Sequence, residues 1–352
     1  MGPIMLDLRG PTLAEDEKEA LLHPSVGGVI LFSRNYQEPD QLRELTAQIH
    51  RLRKPPLLIA VDHEGGRVQR FRSQFTRMPA CRLYGQLYDT NQSLSLTVVE
   101  KAGWLMASEL ISVGIDFSFA PVLDIDTGKS KVIGDRSFHH DCDVVTELAK
   151  MFIKGMKFAG MAPVGKHFPG HGYVSEDSHV AIPIDNRPYQ DIMMTDLIPF
   201  ERLVNSGLAG IMPAHVIYPV IDENPAGFSS TWLNDVLRTR IGFHGAIFSD
   251  DISMAGAEVI GSYIDRAQAA LDAGCDMVLV CNNQVEAFKI LDDLEVENNP
   301  ESQVRLMRMH GQGMDRTLKQ LRQDSEWKSV VEELASMEKS PELDLSDDEI
   351  HS

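Results

Sequence analysis

The chain has 352 residues, of which 43% are apolar and 24% are charged, so it can bury a substantial core and is not a disordered protein. A formal net charge of -19 argues against nucleic acid or an anionic membrane as a partner, and favours small or neutral ligands. The four cysteines form no CxxC pair, so neither a disulfide framework nor a cysteine zinc site is expected.

The sequence shows neither a secretion signal nor a membrane span. The first ten residues lack a basic segment followed by a long apolar run, and no stretch of about eighteen uncharged apolar residues occurs. We therefore expect a cytoplasmic protein, and we expect it to be a monomer.

Eight short apolar runs alternate with segments of helical periodicity. Their near-continuous apolar character favours parallel strands covered on both faces. Eight such repeats favour an α/β fold of the (β/α)₈ TIM-barrel type over a doubly wound sheet, and the GxGxxG that a Rossmann fold needs after its first strand is absent. The predicted strands are residues 2–8, 26–32, 57–62, 115–125, 161–168, 209–215, 245–251 and 277–281.

The pattern changes near residue 295. Residues 1–295 are predicted to form the barrel. Residues 296–338 are more polar, with an amphipathic rhythm that predicts a helical extension packed on the outside of the barrel. Residues 339–352 are acidic and lack aromatic residues, which is typical of a disordered tail.

Groups capable of chemistry lie at the ends of five predicted strands. A barrel collects the carboxyl ends of its strands on one rim, where enzymes of this architecture build their active sites. A single polar residue could simply mark the end of a strand, but five sets on one rim favour a functional site. The sets are Asp62-His63-Glu64, Asp124 with Asp126, Lys166-His167, His215, and Asp250-Asp251.

The stretch KHFPGHG, residues 166–172, is compatible with metal binding, phosphate binding or acid/base catalysis. His167 and His171 would share one face only in a helix, and the intervening FPG disfavours a helix. Gly170 and Gly172 could present amide groups to phosphate, but no GxxxxGK[ST] is present. His171 could equally serve a local backbone hydrogen bond. We therefore expect no metal and no cofactor.

Two further patterns suggest acid/base and nucleophilic chemistry. Asp177 and His179 lie two positions apart, so the carboxylate could orient the imidazole and stabilise its protonated form. In FSDDISM, residues 248–254, the successive carboxylates of Asp250 and Asp251 would face opposite ways in an extended chain. One could attack a substrate while the other supports it, although two adjacent aspartates also arise by chance.

Taken together, seven motifs resemble the family 3 glycoside hydrolases, and among them the single-domain bacterial β-N-acetylglucosaminidases of cell-wall recycling. The resemblance covers roughly residues 1–290. It implies a retaining (β/α)₈ hydrolase that releases N-acetylglucosamine from a 1,6-anhydro-N-acetylmuramic acid unit, with or without its peptide. The motifs are VDHEGGRVQRF (61–71), FAPVLDI (119–125), GDRSF (134–138), GKHFPGHG (165–172), DSH (177–179), IMPAHVIY (211–218) and FSDDISM (248–254).

The resemblance also implies roles for individual residues. Asp250 would be the nucleophile, and His179 the general acid/base, oriented by Asp177. The residues implied to hold the terminal sugar are Asp62, Arg70, Arg136, Lys166 and His167. The chain departs from the family at His63, where glutamine is common, and at Asp135, where glutamate is common; a charged His63 could alter the surroundings of Asp62.

Two alternatives to hydrolysis stay open at this point. A phosphorylase would use phosphate to resolve the glycosyl-enzyme, which a histidine acid/base permits because neutral imidazole repels phosphate less than a carboxylate does. A non-catalytic sugar-binding barrel would keep the pocket without the chemistry. The glycines of KHFPGHG could also let the following loop swing His179 over the sugar.

Overall fold

The computed structural model describes residues 1–175, 182–295, 299–313 and 316–337. Eight short parallel strands form the centre of the molecule, five in one sheet and three in another. They are β1 (Ile4–Asp7), β2 (Val26–Leu31), β3 (Leu58–Val61), β4 (Phe117–Ser118), β5 (Val164–Phe168), β6 (Gly210–Pro213), β7 (Ala246–Ile247) and β8 (Val278–Val280).

The two sheets close into one barrel. The first has the strand order β8-β1-β2-β3-β4 and the second the order β7-β6-β5. Parallel pairing of Val122 with Lys166 joins β4 to β5, and parallel pairing of Phe248 with Met277 joins β7 to β8. Each predicted apolar run therefore contains a barrel strand, and the predicted (β/α)₈ fold is confirmed.

Helices surround the barrel and cover the outer faces of its strands. In the helix Pro39–Arg51, Leu42, Leu45 and Ile49 are buried on one face, as their helical spacing predicts. Gly274 ends the helix Tyr263–Ala273 in the left-handed conformation at a φ of +117°. The helices are α1 (Glu15–Leu21), α2 (Pro39–Arg51), α3 (Cys81–Thr90), α4 (Gln92–Ser112), α5 (Cys142–Phe158), α6 (Tyr189–Met194), α7 (Leu197–Asn205), the π-helical α8 (Thr231–Arg240), α9 (Tyr263–Ala273) and α10 (Gln284–Asp293).

Shorter elements shape the loops at the strand ends. An antiparallel ribbon pairs His63–Gly65 with Val68–Gln69, and another pairs Ile217–Tyr218 with Asp222–Pro225. Short 3₁₀ helices occupy Ser33–Asn35, Gly134–Arg136, Ala226–Phe228 and Ala255–Ile260.

Three further helices follow the barrel: α11 (Pro300–Met307), α12 (Leu318–Leu321) and α13 (Ser325–Met337). Helix α13 packs beside α4, where Trp327 Nε1 donates to Glu109 Oε1 at 3.0 Å and Lys101 Nζ lies 2.7 Å from Glu333 Oε2. The predicted acidic tail, residues 339–352, lies outside the described residues. Within the described ranges, none of the helices has the length and apolar character needed to cross a membrane.

Candidate active site

A cavity of about 680 Å³ lies where the carboxyl ends of the barrel strands meet. Six of the eight residues with predicted roles line it: Asp62, Arg70, Arg136, Lys166, His167 and Asp250. The other two, Asp177 and His179, fall in residues 176–181, outside the described residues. The cavity brings the six together, while the roles assigned to all eight stay predictions.

Lys166 is the centre of an ion-pair network in the cavity wall. Its Nζ lies 2.9 Å from Asp62 Oδ1 and 2.7 Å from Glu64 Oε1. Arg70 Nη2 donates to Asp62 Oδ2 at 3.2 Å. Arg136 donates through Nε and Nη2 to the two oxygens of Glu64, both at 2.8 Å. The network joins three cations to two carboxylates, in one bidentate pair and three single bridges.

The local chain path explains how the network forms. Asp62 and Glu64 follow β3 two positions apart in extended chain, so their side chains point to the same side. The ribbon then turns back through Val68–Gln69 and returns Arg70 to the same rim. Sequence reasoning named Glu64 at a strand end but gave it no role. Its spacing from Asp62 was the signal that could have identified it.

Opposite charges in the network favour the ionised forms of Asp62, Glu64 and Lys166. Burial alone would raise the pKa of Asp62, but Lys166 and Arg70 lower it below its usual value. Burial would also raise the pKa of Glu64, yet Arg136 and Lys166 hold it well below the usual range. For Lys166, burial is outweighed by the two carboxylates, which raise its pKa. The site therefore offers fixed charges at neutral pH.

His167 is held by a buried carboxylate behind it. Asp124 Oδ2 lies 2.7 Å from His167 Nδ1 and accepts from the backbone N–H of His167 at 3.2 Å, while its Oδ1 accepts from the backbone N–H of His171 at 2.6 Å. Because a carboxylate accepts, Nδ1 carries the proton, and Nε2 is left to meet a ligand hydroxyl. Asp124 is thus a second residue whose contribution sequence reasoning did not assign.

The KHFPGHG stretch does not form the helix that a paired-histidine site would need. Its first residues belong to β5, and the ring centroids of His167 and His171 lie 5.9 Å apart at a steep angle. Burial and the neighbouring His167 lower the pKa of His171. His171 lines the cavity, and its backbone N–H donates to Asp124 Oδ1; the local role suggested for its imidazole stays a prediction.

The two glycines of this stretch serve close packing. A Cβ at Gly170, which has a φ of +152°, would lie 2.5 Å from Asp196 Oδ1, and a Cβ at Gly172 would overlap the carbonyl oxygen of Ile125. Tyr218 also donates its hydroxyl to the carbonyl of Gly170 at 2.6 Å. These contacts pack the segment closely against its neighbours, and the hinge suggested for it stays a prediction.

The neighbouring aspartates Asp250 and Asp251 have different surroundings. Asp251 accepts from Ser253 N–H at 2.9 Å, from Ser253 Oγ at 2.7 Å and from Cys281 N–H at 3.1 Å. Its own backbone N–H donates to Asp250 Oδ1 at 2.8 Å. Burial raises the pKa of Asp251 to about 6. Asp251 is therefore engaged in holding the loop, and Asp250 is the aspartate better placed to attack.

His63, one of the two departures from the family pattern, adds no charge beside Asp62. Its ring centroid lies 5.8 Å from that of Phe71 and 5.9 Å from that of Phe75. Burial, followed by the charges of Arg70 and Arg72, lowers the pKa of His63 to about 3. The imidazole is neutral at physiological pH and extends an aromatic cluster behind the site.

The fold and the cavity together define a class of protein: a (β/α)₈ enzyme whose site combines carboxylates with cationic hydrogen-bond donors at the carboxyl ends of its strands. Residues 5–309 match the family described as glycosyl hydrolase family 3 N terminal domain. The chain belongs to this family, as its motifs predicted.

Relatives and solved structures that match nearly the whole chain agree with this family assignment. A beta-hexosaminidase of Thioalkalivibrio sulfidiphilus is 56% identical over 346 residues, covering 98% of this chain and 99% of the relative. One of Methylobacillus flagellatus is 52% identical over 340 residues, covering 97% of each. The crystal structure of NagZ from Neisseria gonorrhoeae in complex with N-trifluoroacetyl-D-glucosamine has a TM-score of 0.91 at 43% identity, covering 96% of this chain and 98% of that one. The predicted glycoside hydrolase is confirmed, and the curated relatives agree in being beta-hexosaminidases.

Proposed function

We propose that the protein hydrolyses the terminal β-linked N-acetylglucosamine of GlcNAc-1,6-anhydro-MurNAc, with or without its peptide, in cell-wall recycling. The observation that carries the proposal is the cavity itself, in which Asp250 lines the same space as the network of Asp62, Arg70, Arg136 and Lys166. Similarity to a NagZ structure that holds an N-acylated glucosamine supports the sugar. We further propose a cytoplasmic monomer.

The proposed reaction proceeds with retention through two displacements at the anomeric carbon. Asp250 attacks while His179 protonates the leaving oxygen, and a covalent glycosyl-aspartate forms. His179, now neutral, takes a proton from water as the water oxygen attacks the anomeric carbon; the bond to Asp250 breaks, the sugar leaves and the carboxylate is restored. Asp177 orients the imidazole and stabilises its charged form, and positioned proton transfer of this kind contributes about 10²–10⁴-fold.

The network residues would hold the sugar hydroxyl groups. Lys166 and Arg136 present fixed donors, Asp62 presents a fixed acceptor, and His167 presents Nε2 because Asp124 occupies its other nitrogen. Fixed charged partners favour hydrogen bonds that strengthen as the sugar distorts towards the transition state.

Product analysis tests the substrate and the acceptor together. The purified protein is incubated with GlcNAc-1,6-anhydro-MurNAc, and the products are followed by mass spectrometry and by proton NMR of the first-formed anomer. We expect free N-acetylglucosamine that appears first as the β anomer. An α anomer would contradict retention, a sugar phosphate formed in phosphate buffer would favour a phosphorylase, and cleavage of aryl substrates alone would contradict the proposed aglycone.

A further inference from the structure

Glu64 is the buried carboxylate of the cavity wall whose role is still unassigned. Its side chain is 2% exposed, and both of its oxygens accept charge-assisted hydrogen bonds. Among the described residues, these bonds come from Arg136 and Lys166 alone, and both of those residues line the cavity. Glu64 therefore supports cations that face the ligand.

The charge balance of the ion-pair network centred on Lys166 gives this arrangement a consequence. Within that network, three cations, Arg70, Arg136 and Lys166, are offset by two carboxylates, Asp62 and Glu64. The transition state of glycoside hydrolysis is oxocarbenium-like, so positive charge develops at the sugar ring. Uncompensated cations beside that ring would oppose the reaction, even though they are good donors to hydroxyl groups.

We propose that Glu64 is a positioning residue that offsets the positive charge of Arg136 and Lys166, so that both can hold sugar hydroxyl groups without opposing the charge that develops at the anomeric carbon. The inference rests on the proposed displacement by Asp250 in the same cavity. Both oxygens of Glu64 are paired with these two cations, so we assign Glu64 to their positioning rather than to contact with the substrate.

The test compares a cationic inhibitor with a neutral one. An imino sugar of N-acetylglucosamine configuration, protonated at neutral pH, mimics the charge of the transition state, whereas the corresponding lactone mimics its flattened shape without charge. In Glu64→Gln, the inhibition constant of the imino sugar should rise by about tenfold relative to that of the lactone. The reason is that one negative charge is lost several ångströms from the positive charge of the imino sugar, at an effective dielectric constant of about 20.

Two variants separate charge from shape. Glu64→Asp keeps the charge, so it should weaken both inhibitors together and leave their ratio unchanged. Glu109→Gln removes another buried carboxylate, one that bonds to Thr76 and Trp327 away from the cavity, and should alter neither inhibition constant. Equal weakening of both inhibitors in Glu64→Gln would overturn the proposal, since that result means a role in shape alone.

The proposal is testable even if Glu64→Gln does not fold. Arg136→Gln removes the opposite charge, so it should shift the ratio in favour of the imino sugar, and an unchanged ratio would overturn the proposal. An inactive parent protein would refute the proposed function, whereas an active parent with an unmoved ratio would refute the role of Glu64 alone.

Discussion

Buried carboxylates occupy both ends of the barrel, but they have different partners. At the amino end, Asp116 directly precedes β4 and Asp276 precedes β8. Asp116 accepts from the backbone N–H of Ile59 at 2.8 Å, and Asp276 accepts from that of Ile247, also at 2.8 Å. Each carboxylate thus ties its own strand to the backbone of the neighbouring strand.

The same two carboxylates also hold the helical extension. Gly311 N–H donates to Asp116 Oδ1 at 3.0 Å, and Arg305 Nη1 donates to Asp276 Oδ1 at 3.2 Å. At the carboxyl end, by contrast, the bonds to Glu64 within the described residues come from side-chain cations that line the cavity. The backbone partners of Asp116 and Asp276 indicate carboxylates that stabilise the fold, and the cavity-lining cations around Glu64 indicate one that prepares a site.

The largest expected effect is on activity at the carboxyl end. Asp62→Asn removes the charge that faces Lys166 and Arg70, so we expect kcat/KM to fall by about 10²-fold or more, the usual result of disturbing a charged hydrogen-bond group in an active site. Steady-state kinetics on an aryl β-N-acetylglucosaminide measures this. The matched control, Asp135→Asn at the exposed Arg67 pair, should change kcat/KM less than about threefold.

The next effect is on stability at the amino end. Asp276→Asn removes the buried carboxylate that Arg238 and Arg305 share and leaves Arg305, among the described residues, only its bridge to Glu301, so we expect a loss of about 3 kcal/mol in the free energy of unfolding. Urea titration measures it, with the exposed Asp272→Asn as the control. The kcat/KM of the folded fraction should match that of the parent; a large fall in kcat/KM at full folding would break the distinction between the two ends.

A pH effect of comparable or smaller size is expected at Asp251, beside the proposed nucleophile Asp250. Burial raises the pKa of Asp251 to about 6, above its unfolded value of about 4, so the folded state binds more protons between these limits. The unfolding free energy of the parent should therefore fall as the pH rises from about 4 to 6, by up to about 3 kcal/mol relative to Asp251→Asn. Parallel stability curves of the two proteins over this range would contradict a raised pKa of Asp251 in the folded state.

The smallest effect should come from one side-chain partner at the amino end. His50 Nε2 lies 3.2 Å from Asp116 Oδ2, a carboxylate that keeps its two backbone donors without it. His50→Ala should cost about 1 kcal/mol of unfolding free energy and leave kcat/KM unchanged. A loss above about 3 kcal/mol would show that the histidine, rather than the backbone, secures Asp116.

The sequence was sufficient for the barrel and for much of the rim. Continuous apolar runs identify buried parallel strands because both of their faces are covered, and strand-end polar residues such as Asp62 and Lys166 are then placed on one side. Which of them pair could not be read from the chain, since Lys166 and Asp62 are 104 positions apart and meet only when the barrel closes. The same holds for Asp124 and His167.

The roles of Asp116 and Asp276 were harder to predict. Asp116 lies inside the predicted strand 115–125 and Asp276 lies just before the predicted strand 277–281, and neither position suggests a role for the carboxylate. Their significance depends on a backbone N–H of the neighbouring strand and on the helical extension, and neither contact has a local sequence signal.

Trapping the covalent intermediate tests the central claim, that the carboxyl-end cavity is a glycosidase site in which Asp250 is the nucleophile. The protein is incubated with a slow fluorinated N-acetylglucosamine donor that has a good leaving group, digested, and sequenced by tandem mass spectrometry. We predict a single glycosyl adduct on the carboxylate of Asp250. An adduct on Asp251 or Glu64, or turnover that gives no adduct at any residue, would contradict this account.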